Sequence, residues 1–338
     1  LFFDEGTLRF LDKKIKILFN PLNRRLNEDE VIKYSKNASI IITEWWTGAG
    51  EKLLKNKNLK AIIRCGVEIK NIDFEIARKN KIAIINVPNT YTNSVAELVI
   101  TFILSLARNI IHFHNKTISG FYNEAIIEMM SDSKVKFSKW PQFEIFGMTL
   151  GLIGFGSIGK LVYKKAIALG MNVIVYDPYV SKKNKNIKLV SLKYLLKNSQ
   201  FISLHANYNE NKYMISYKEF DLMHKNSFII NTARGNLINT NAMYKALKSK
   251  KISGAAIDVL ETDTKFENKK YKNWKHSEKF AETKLNKLEN VIITPHMAGI
   301  TKETITRQSN EVIKIVNMFF KKKLPKSVVN NVKKIKKI

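Results

Sequence analysis

At 338 residues, with 45% hydrophobic and 26% charged side chains, the chain has a globular composition and is long enough for two domains, which excludes an intrinsically disordered protein or one small module. Lys and Arg number 58 against 29 Asp and Glu, a net charge of +29, yet only eight of the basic residues are Arg and the Lys are spread over every segment. Sequence-specific base readout leans on Arg forks, so the charge reads as a solvated Lys coat and no specific nucleic-acid partner is expected. The single cysteine, Cys65, excludes an intrachain disulfide. The longest apolar runs fall short of the ~20 residues of a membrane span, so no membrane partner is expected. The opening residues include Asp4, Glu5 and Asp12 and lack a signal-peptide layout, which points to the cytoplasm; because the first residue is not Met, the native start is read as missing or differently initiated.

In chain order, residues 15–19 read as a strand and 27–34 as a helix opened by Asn27, Glu28 and Asp29. Residues 39–43, 59–64 and 82–87 read as strands, the last closed by Pro88, with helices over 51–54 and 73–80 between them. This alternation predicts βαβ units and a parallel sheet. Apolar residues Val95, Leu98, Val99, Phe102, Leu106 and Ile110 recur close to every 3.6 positions, predicting one long helix over 94–118. A loop is expected over 120–147. A second series follows, with strands at 149–153, 172–176, 201–205, 227–231, 254–259 and 291–294 and helices at 157–169, 191–197, 216–222 and 240–248. It has the layout of a doubly wound unit, interrupted by a polar, Lys-rich insert at 264–287. A last helix is expected over 301–320, then a basic tail.

The segment LGLIGFGSIGK (150–160) places Gly154, Gly156 and Gly159 in a G-x-G-x-x-G pattern between a predicted strand and a predicted helix. Gly154 permits the tight turn, Gly156 lets a pyrophosphate approach the backbone, and Gly159 lets the helix pack against the strand. Ser157 and Ile158 open the helix, whose free N–H groups favour phosphate. Asp177 ends the next strand, where a carboxylate accepts from a ribose and repels a 2′-phosphate. NAD is therefore the expected cofactor, although Lys182 and Lys183 lie near enough to soften the discrimination.

The segments RCGVEIKNID (64–73), NSVAELVI (93–100), GLIGFGSIGK (151–160), NTARGNLIN (231–239), GAAIDVLETD (254–263) and TPHMAG (294–299) follow one another in an order and spacing that resemble the D-isomer-specific 2-hydroxyacid dehydrogenases, most of all their D-3-phosphoglycerate dehydrogenase branch. The resemblance covers roughly residues 15–330. It implies an α/β protein in which a doubly wound Rossmann nucleotide-binding domain (119–296) is inserted into a smaller flavodoxin-like α/β substrate domain (1–118 and 297–338), with the active site in the cleft and domain closure over substrate. LPKSVVN (324–330) looks like the family's closing segment. The few residues beyond it leave no room in this sequence for a regulatory domain. A homodimer is implied as well.

By the same resemblance Arg234 binds the substrate carboxylate, His296 exchanges a proton with the reacting oxygen, and a carboxylate orients the imidazole. The family commonly has Glu-Pro where this chain has Asp263 and Thr264; Asp263 is the preferred partner and Glu261 the alternative. Thr232 and Ala233 beside Arg234, Asp258 as a nicotinamide carboxamide ligand, and His205 lining the cofactor cleft complete the cofactor set. Arg64, Cys65, Gly66 and Val67 form the expected substrate loop, with Lys79 as a further cation for a small anionic substrate such as 3-phosphoglycerate. Glu68 and Lys70 depart from the family pattern there, and Trp45 and Trp46 follow a strand of the same domain. No metal site is expected. Other readings left open are a glyoxylate, hydroxypyruvate or lactate-like substrate, and an NAD-responsive corepressor-like binding protein.

Overall fold

The computed structural model describes residues 3–22, 24, 26–44, 49–66, 69, 71–130, 141–180, 187–206, 212–261 and 284–332. The chain divides into two compact units, residues 1–91 with 300–338 and residues 92–299. The expected divisions after 118 and 296 therefore shift to 91 and 299. The helix that opens the larger unit explains the first shift, because it packs against that unit's own helix 157–168 and its sheet.

The smaller unit holds a parallel three-stranded sheet in the order β1 (Ile40–Glu44), β2 (Ala61–Cys65), β3 (Ala83–Val87). Helices α1 (Glu28–Tyr34), α2 (Glu51–Leu54) and α3 (Phe74–Lys79) connect the strands. α1 starts where the Asn-Glu-Asp opening predicts, with Asn27 and Glu30 forming a reciprocal capping box, and the Asp73 side chain caps α3. Alternate strand residues point to opposite faces. Ile62 and Ile84 pack with Leu53 and Leu54, whereas Ile63 and Ile85 pack with Val312, Ile315 and Phe319 of the final helix. Asn330 then closes the edge of β3, accepting from the Ile84 N–H at 3.0 Å and donating to the Ile82 carbonyl at 2.8 Å. The expected strand at 15–19 is not formed. Ile17, Leu18 and Phe19 stay 38–59% exposed, since β1 pairs directly with β2 and no sheet edge receives them.

The larger unit carries a parallel six-stranded sheet in the order β5-β4-β6-β7-β8-β9. Its strands are β4 (Thr149–Ile153), β5 (Asn172–Tyr176), β6 (Phe201–Leu204), β7 (Phe228–Asn231), β8 (Gly254–Ile257) and β9 (Val291–Ile293). Helices α7 (Ser157–Ala168), α8 (Leu192–Asn198), α9 (Tyr217–Leu222) and α10 (Thr240–Lys248) match the expected spans within one residue at each end. The strands are apolar on both faces, with Ile153, Ile202, Leu204 and Ile229 in one core layer and Leu150, Leu152, Val175 and Ile230 in the other, as a sheet covered on both sides requires. The order reverses between β4 and β6, the switch point at which such sheets bind ligands.

The single long helix expected over 94–118 is two, α4 (Thr92–Arg108) and α5 (Ile110–Ile118), bent by 65°. Asn109 lies between them in the left-handed conformation (φ 48, ψ 37), and its side chain donates to the Pro141 carbonyl at 2.9 Å. The expected loop over 120–147 contains a further helix, α6 (Tyr122–Met130). The chain ends with α11 (Lys302–Phe320) in the smaller unit. Among the described residues no single helix is long and apolar enough to cross a membrane.

Candidate active site

Six strand ends on one edge of the six-stranded sheet carry the larger unit's described site residues. At the first, Gly154 leaves β4 at φ +97, and a β-carbon there would lie 2.7–2.8 Å from backbone atoms of His205 and Ala206. Gly159 abuts the Gly154 carbonyl, so α7 can approach the strand only without a side chain at that position. Gly156 is exposed, with open space where a side chain would be, and no side chain caps α7. The first-turn N–H groups, including those of Ser157 and Ile158, form the end of a helix that favours an anion. Asp177, beyond β5, fixes the turn from the side: its Oδ2 accepts from the Phe155 N–H at 2.7 Å and its Oδ1 from the Tyr179 N–H at 2.9 Å.

His205 ends β6, its N–H donating to the Ile153 carbonyl at 2.7 Å. Its ring Nε2 lies 3.0 Å from Ser203 Oγ. The residue as a whole keeps part of its surface in solvent, but burial around the ring pushes the imidazole down to about 4. A neutral imidazole beside the glycine turn suits the cleft-lining role.

After β7 the chain turns through Thr232, Ala233 and Arg234. Asn231, 1% exposed, fixes that turn by accepting from the Ala233 N–H at 3.0 Å and donating to the Arg234 carbonyl at 2.9 Å. The Thr232 hydroxyl is buried without a hydrogen-bond partner. Arg234 is exposed, its Nη1 donating to the Ala233 carbonyl at 2.7 Å. Gly235 abuts the backbone of Leu260 and Glu261, which brings the ends of β7 and β8 together.

Asp258 follows β8 and is 1% exposed. Its N–H donates to the Asn231 carbonyl at 3.0 Å, and its carbonyl accepts from the His296 N–H at 2.9 Å. His296 follows β9, is exposed, and adopts φ +55. Glu261 accepts from the Tyr213 hydroxyl and, at 3.4 Å, from the Thr240 N–H at the start of α10. Asp263 lies outside the described residues.

In the smaller unit, Arg64 and Cys65 are buried within β2, with Arg64 fully covered, and Gly66 follows at φ +117. Val67, Glu68, Lys70, Trp45 and Trp46, like Lys182 and Lys183 of the larger unit, lie outside the described residues. Lys79 does not join the loop. It ends α3, which runs from the carboxyl edge of β2 back to the amino edge of β3, so Lys79 is exposed at the opposite edge of the sheet from Gly66. Sequence reasoning missed Asn231 as the clamp of the Arg234 turn; its only sign was the leading residue of NTARG.

The sequence profile described as "D-isomer specific 2-hydroxyacid dehydrogenase, NAD binding domain" matches residues 100–298, more than half of the chain. The chain belongs to the D-isomer-specific 2-hydroxyacid dehydrogenase family. This dehydrogenase chain is 33% identical over 316 residues to a D-3-phosphoglycerate dehydrogenase of Methanocaldococcus jannaschii, a match that covers 90% of the chain but only 54% of that relative, so the chain spans about half its length. It is 32% identical to a hydroxypyruvate reductase of Thermotoga maritima, covering 86% of the chain and 88% of the relative. Among solved structures, D-lactate dehydrogenase from Aquifex aeolicus, complexed with NAD and lactic acid, superposes with a TM-score of 0.70 at 32% identity over 88% of this chain and 86% of that one. The dehydrogenase family is NAD-dependent, and the glycine turn fits the dinucleotide: the open space over Gly156, the uncapped start of α7 and the carboxylate of Asp177 supply the three features it requires.

Proposed function

We propose that the protein interconverts a small D-2-hydroxy acid and its 2-oxo acid, with Arg234, His296 and Asp263 as the catalytic set. The observation that carries this reading is the gathering of Arg234 and His296 on the same sheet edge as the glycine turn, laced through Asn231 and Asp258. NAD, when bound, accepts or supplies the hydride. The Arg234 guanidinium holds the substrate carboxylate through its planar fork and polarises the adjoining carbonyl. His296 donates a proton to the carbonyl oxygen during reduction and removes it during oxidation. Asp263, at the position where the family commonly has Glu, is the carboxylate that orients His296 in this reading, with Glu261 the alternative. Thr232, Ala233 and His205 line the cofactor side.

For the substrate we propose 3-phosphoglycerate, oxidised to 3-phosphohydroxypyruvate at the entry to serine synthesis, on the R-x-G-V context of Arg64. The place of Lys79 favours a second reading, hydroxypyruvate or glyoxylate, whose short or uncharged tails need no distal cation. An NADH-dependent panel of 2-oxo acids decides: phosphohydroxypyruvate should give the highest kcat/KM, a preference for hydroxypyruvate selects the second reading, and no turnover would leave only an NAD-responsive binding role. We further propose a cytoplasmic homodimer. Ile110, Ile111, Ile118, Phe121 and Tyr122, 45–69% exposed on and between α5 and α6, supply an apolar face for it. Light scattering at micromolar concentration should return twice the chain mass.

A further inference from the structure

The carboxylate of Asp258 is devoted to one short segment. Oδ1 accepts from the Thr294 hydroxyl at 2.5 Å and from the Met297 N–H at 2.9 Å, and Oδ2 accepts from the Ala298 N–H at 2.9 Å. The Asp258 carbonyl takes the His296 N–H at 2.9 Å. These four donors bracket His296 on both sides, and His296 is the residue held at φ +55. A residue with a β-carbon leaves that region unless its surroundings fix it. A carboxylate buried to 1% exposure is tolerated only when hydrogen-bonded, and here the donors to its two oxygens, Thr294, Met297 and Ala298, all belong to the histidine turn.

We infer that Asp258 is a positioning residue: its carboxylate latches the turn 294–298 and thereby sets where the His296 imidazole stands for proton transfer. This differs from a role as ligand of the nicotinamide carboxamide, and it rests on the dehydrogenase reading above. Asp258→Asn keeps the shape but turns one acceptor into an NH2 group that faces a donor of the turn. Displacement of a catalytic group by about 1 Å costs on the order of 100-fold, so kcat should fall roughly 30- to 100-fold, well beyond any rise in the NADH dissociation constant.

Thr294 provides an independent arm, since its hydroxyl donates to Asp258. Thr294→Val should lower kcat roughly three- to ten-fold with NADH binding unchanged, and Thr294→Ser, which restores the hydroxyl, should recover it. If Asp258→Asn fails to fold, the Val and Ser pair at 294 carries the test alone. Weakened NADH binding with an unaltered kcat in Asp258→Asn, or an unaltered kcat in Thr294→Val, overturns the latch. If the wild-type protein reduces no 2-oxo acid, the dehydrogenase reading fails, and the latch is judged by amide hydrogen exchange. The Met297 and Ala298 amides should then exchange at least about ten-fold faster in Asp258→Asn than in wild type, and equal rates would refute it.

Discussion

After β4 the chain turns through Gly154 at φ +97; after β9 it turns through His296 at φ +55. Both turns lie on the same sheet edge, yet they reach a left-handed backbone by different means. The first uses a residue without a side chain, and nothing else fits, because a β-carbon would collide with the backbone of His205. The second must keep an imidazole, so the conformation is imposed from outside by the buried carboxylate of Asp258 and its three donors. Where a ligand is to approach the backbone, glycine itself supplies the left-handed residue, and Asp177 only braces the turn from the side. Where the function resides in a side chain, a neighbouring residue must supply the constraint.

The glycine turn should be the more brittle of the two. Gly154→Ala combines an unfavourable φ with a β-carbon 2.7–2.8 Å from backbone atoms, neither of which can relax by rotating a side chain. A loss of about 3 kcal/mol in unfolding free energy is expected, with NADH binding weakened by at least about ten-fold. Denaturant titration and NADH fluorescence measure the two effects, and a variant as stable as wild type would show that the turn is looser than its packing implies.

His205 connects the glycine turn to the solution. Burial holds its imidazole down to about 4, from an ordinary value of 6.5. Above about 6.5 neither the folded nor the unfolded state binds the proton, and its contribution to stability is complete. As pH falls toward 4 the unfolded chain is protonated first, and stability is lost at up to about 1.4 kcal/mol per pH unit. Below about 4 both states carry the proton and this loss stops. Wild type should therefore lose more stability than His205→Gln between pH 6.5 and 4; parallel curves would remove His205 as the cause.

Asp177 sharpens the comparison on the ligand side, because it braces the glycine turn through Phe155 and Tyr179 and is also the carboxylate proposed to meet the NAD ribose. Wild type should prefer NADH to NADPH, and Asp177→Ala should erode the ratio of kcat/KM values by roughly ten-fold, or about 1.4 kcal/mol. Equal use of the two cofactors by wild type would contradict the charge argument.

The six strands of the larger unit were legible because they are buried on both faces and read as continuous apolar runs between turns. Legibility failed where tertiary context overrode local pattern. Residues 15–19 have the composition of a strand, but β1 and β2 pair directly with each other, so it is not inserted between them. The 3.6-residue repeat runs through Asn109 without a break, since one left-handed residue redirects a helix without altering the spacing of apolar positions. Lys79 is close to the substrate loop in sequence but lies across the sheet from Gly66, because a parallel crossover carries the chain from one edge to the other. Gly154, Gly156, Gly159, Arg234 and His296 could be named from motifs. The work of Asp258 and Asn231 could not, since a bond from a buried side chain to a distant backbone leaves no periodic trace.

The smallest expected effect separates the two turns most directly. If His296 is held in the left-handed region against its own preference, removing the side chain should have opposite consequences for glycine and alanine. His296→Ala keeps a β-carbon at φ +55 and so keeps the local cost, whereas His296→Gly relieves it. Ordinarily glycine is the less stable replacement, because it gains more freedom in the unfolded chain. Here the order should invert, with His296→Gly more stable than His296→Ala by about 1 kcal/mol, measured by the shift in denaturant midpoint at constant m-value. Both variants lack the imidazole proposed as the proton donor, so activity cannot confuse the comparison. At Gly154, by contrast, any β-carbon should be destabilising whatever its side chain. If His296→Ala proves as stable as His296→Gly, the turn after β9 is not strained, and the hydrogen bonds to Asp258 would be accompanying a relaxed backbone rather than enforcing a strained one.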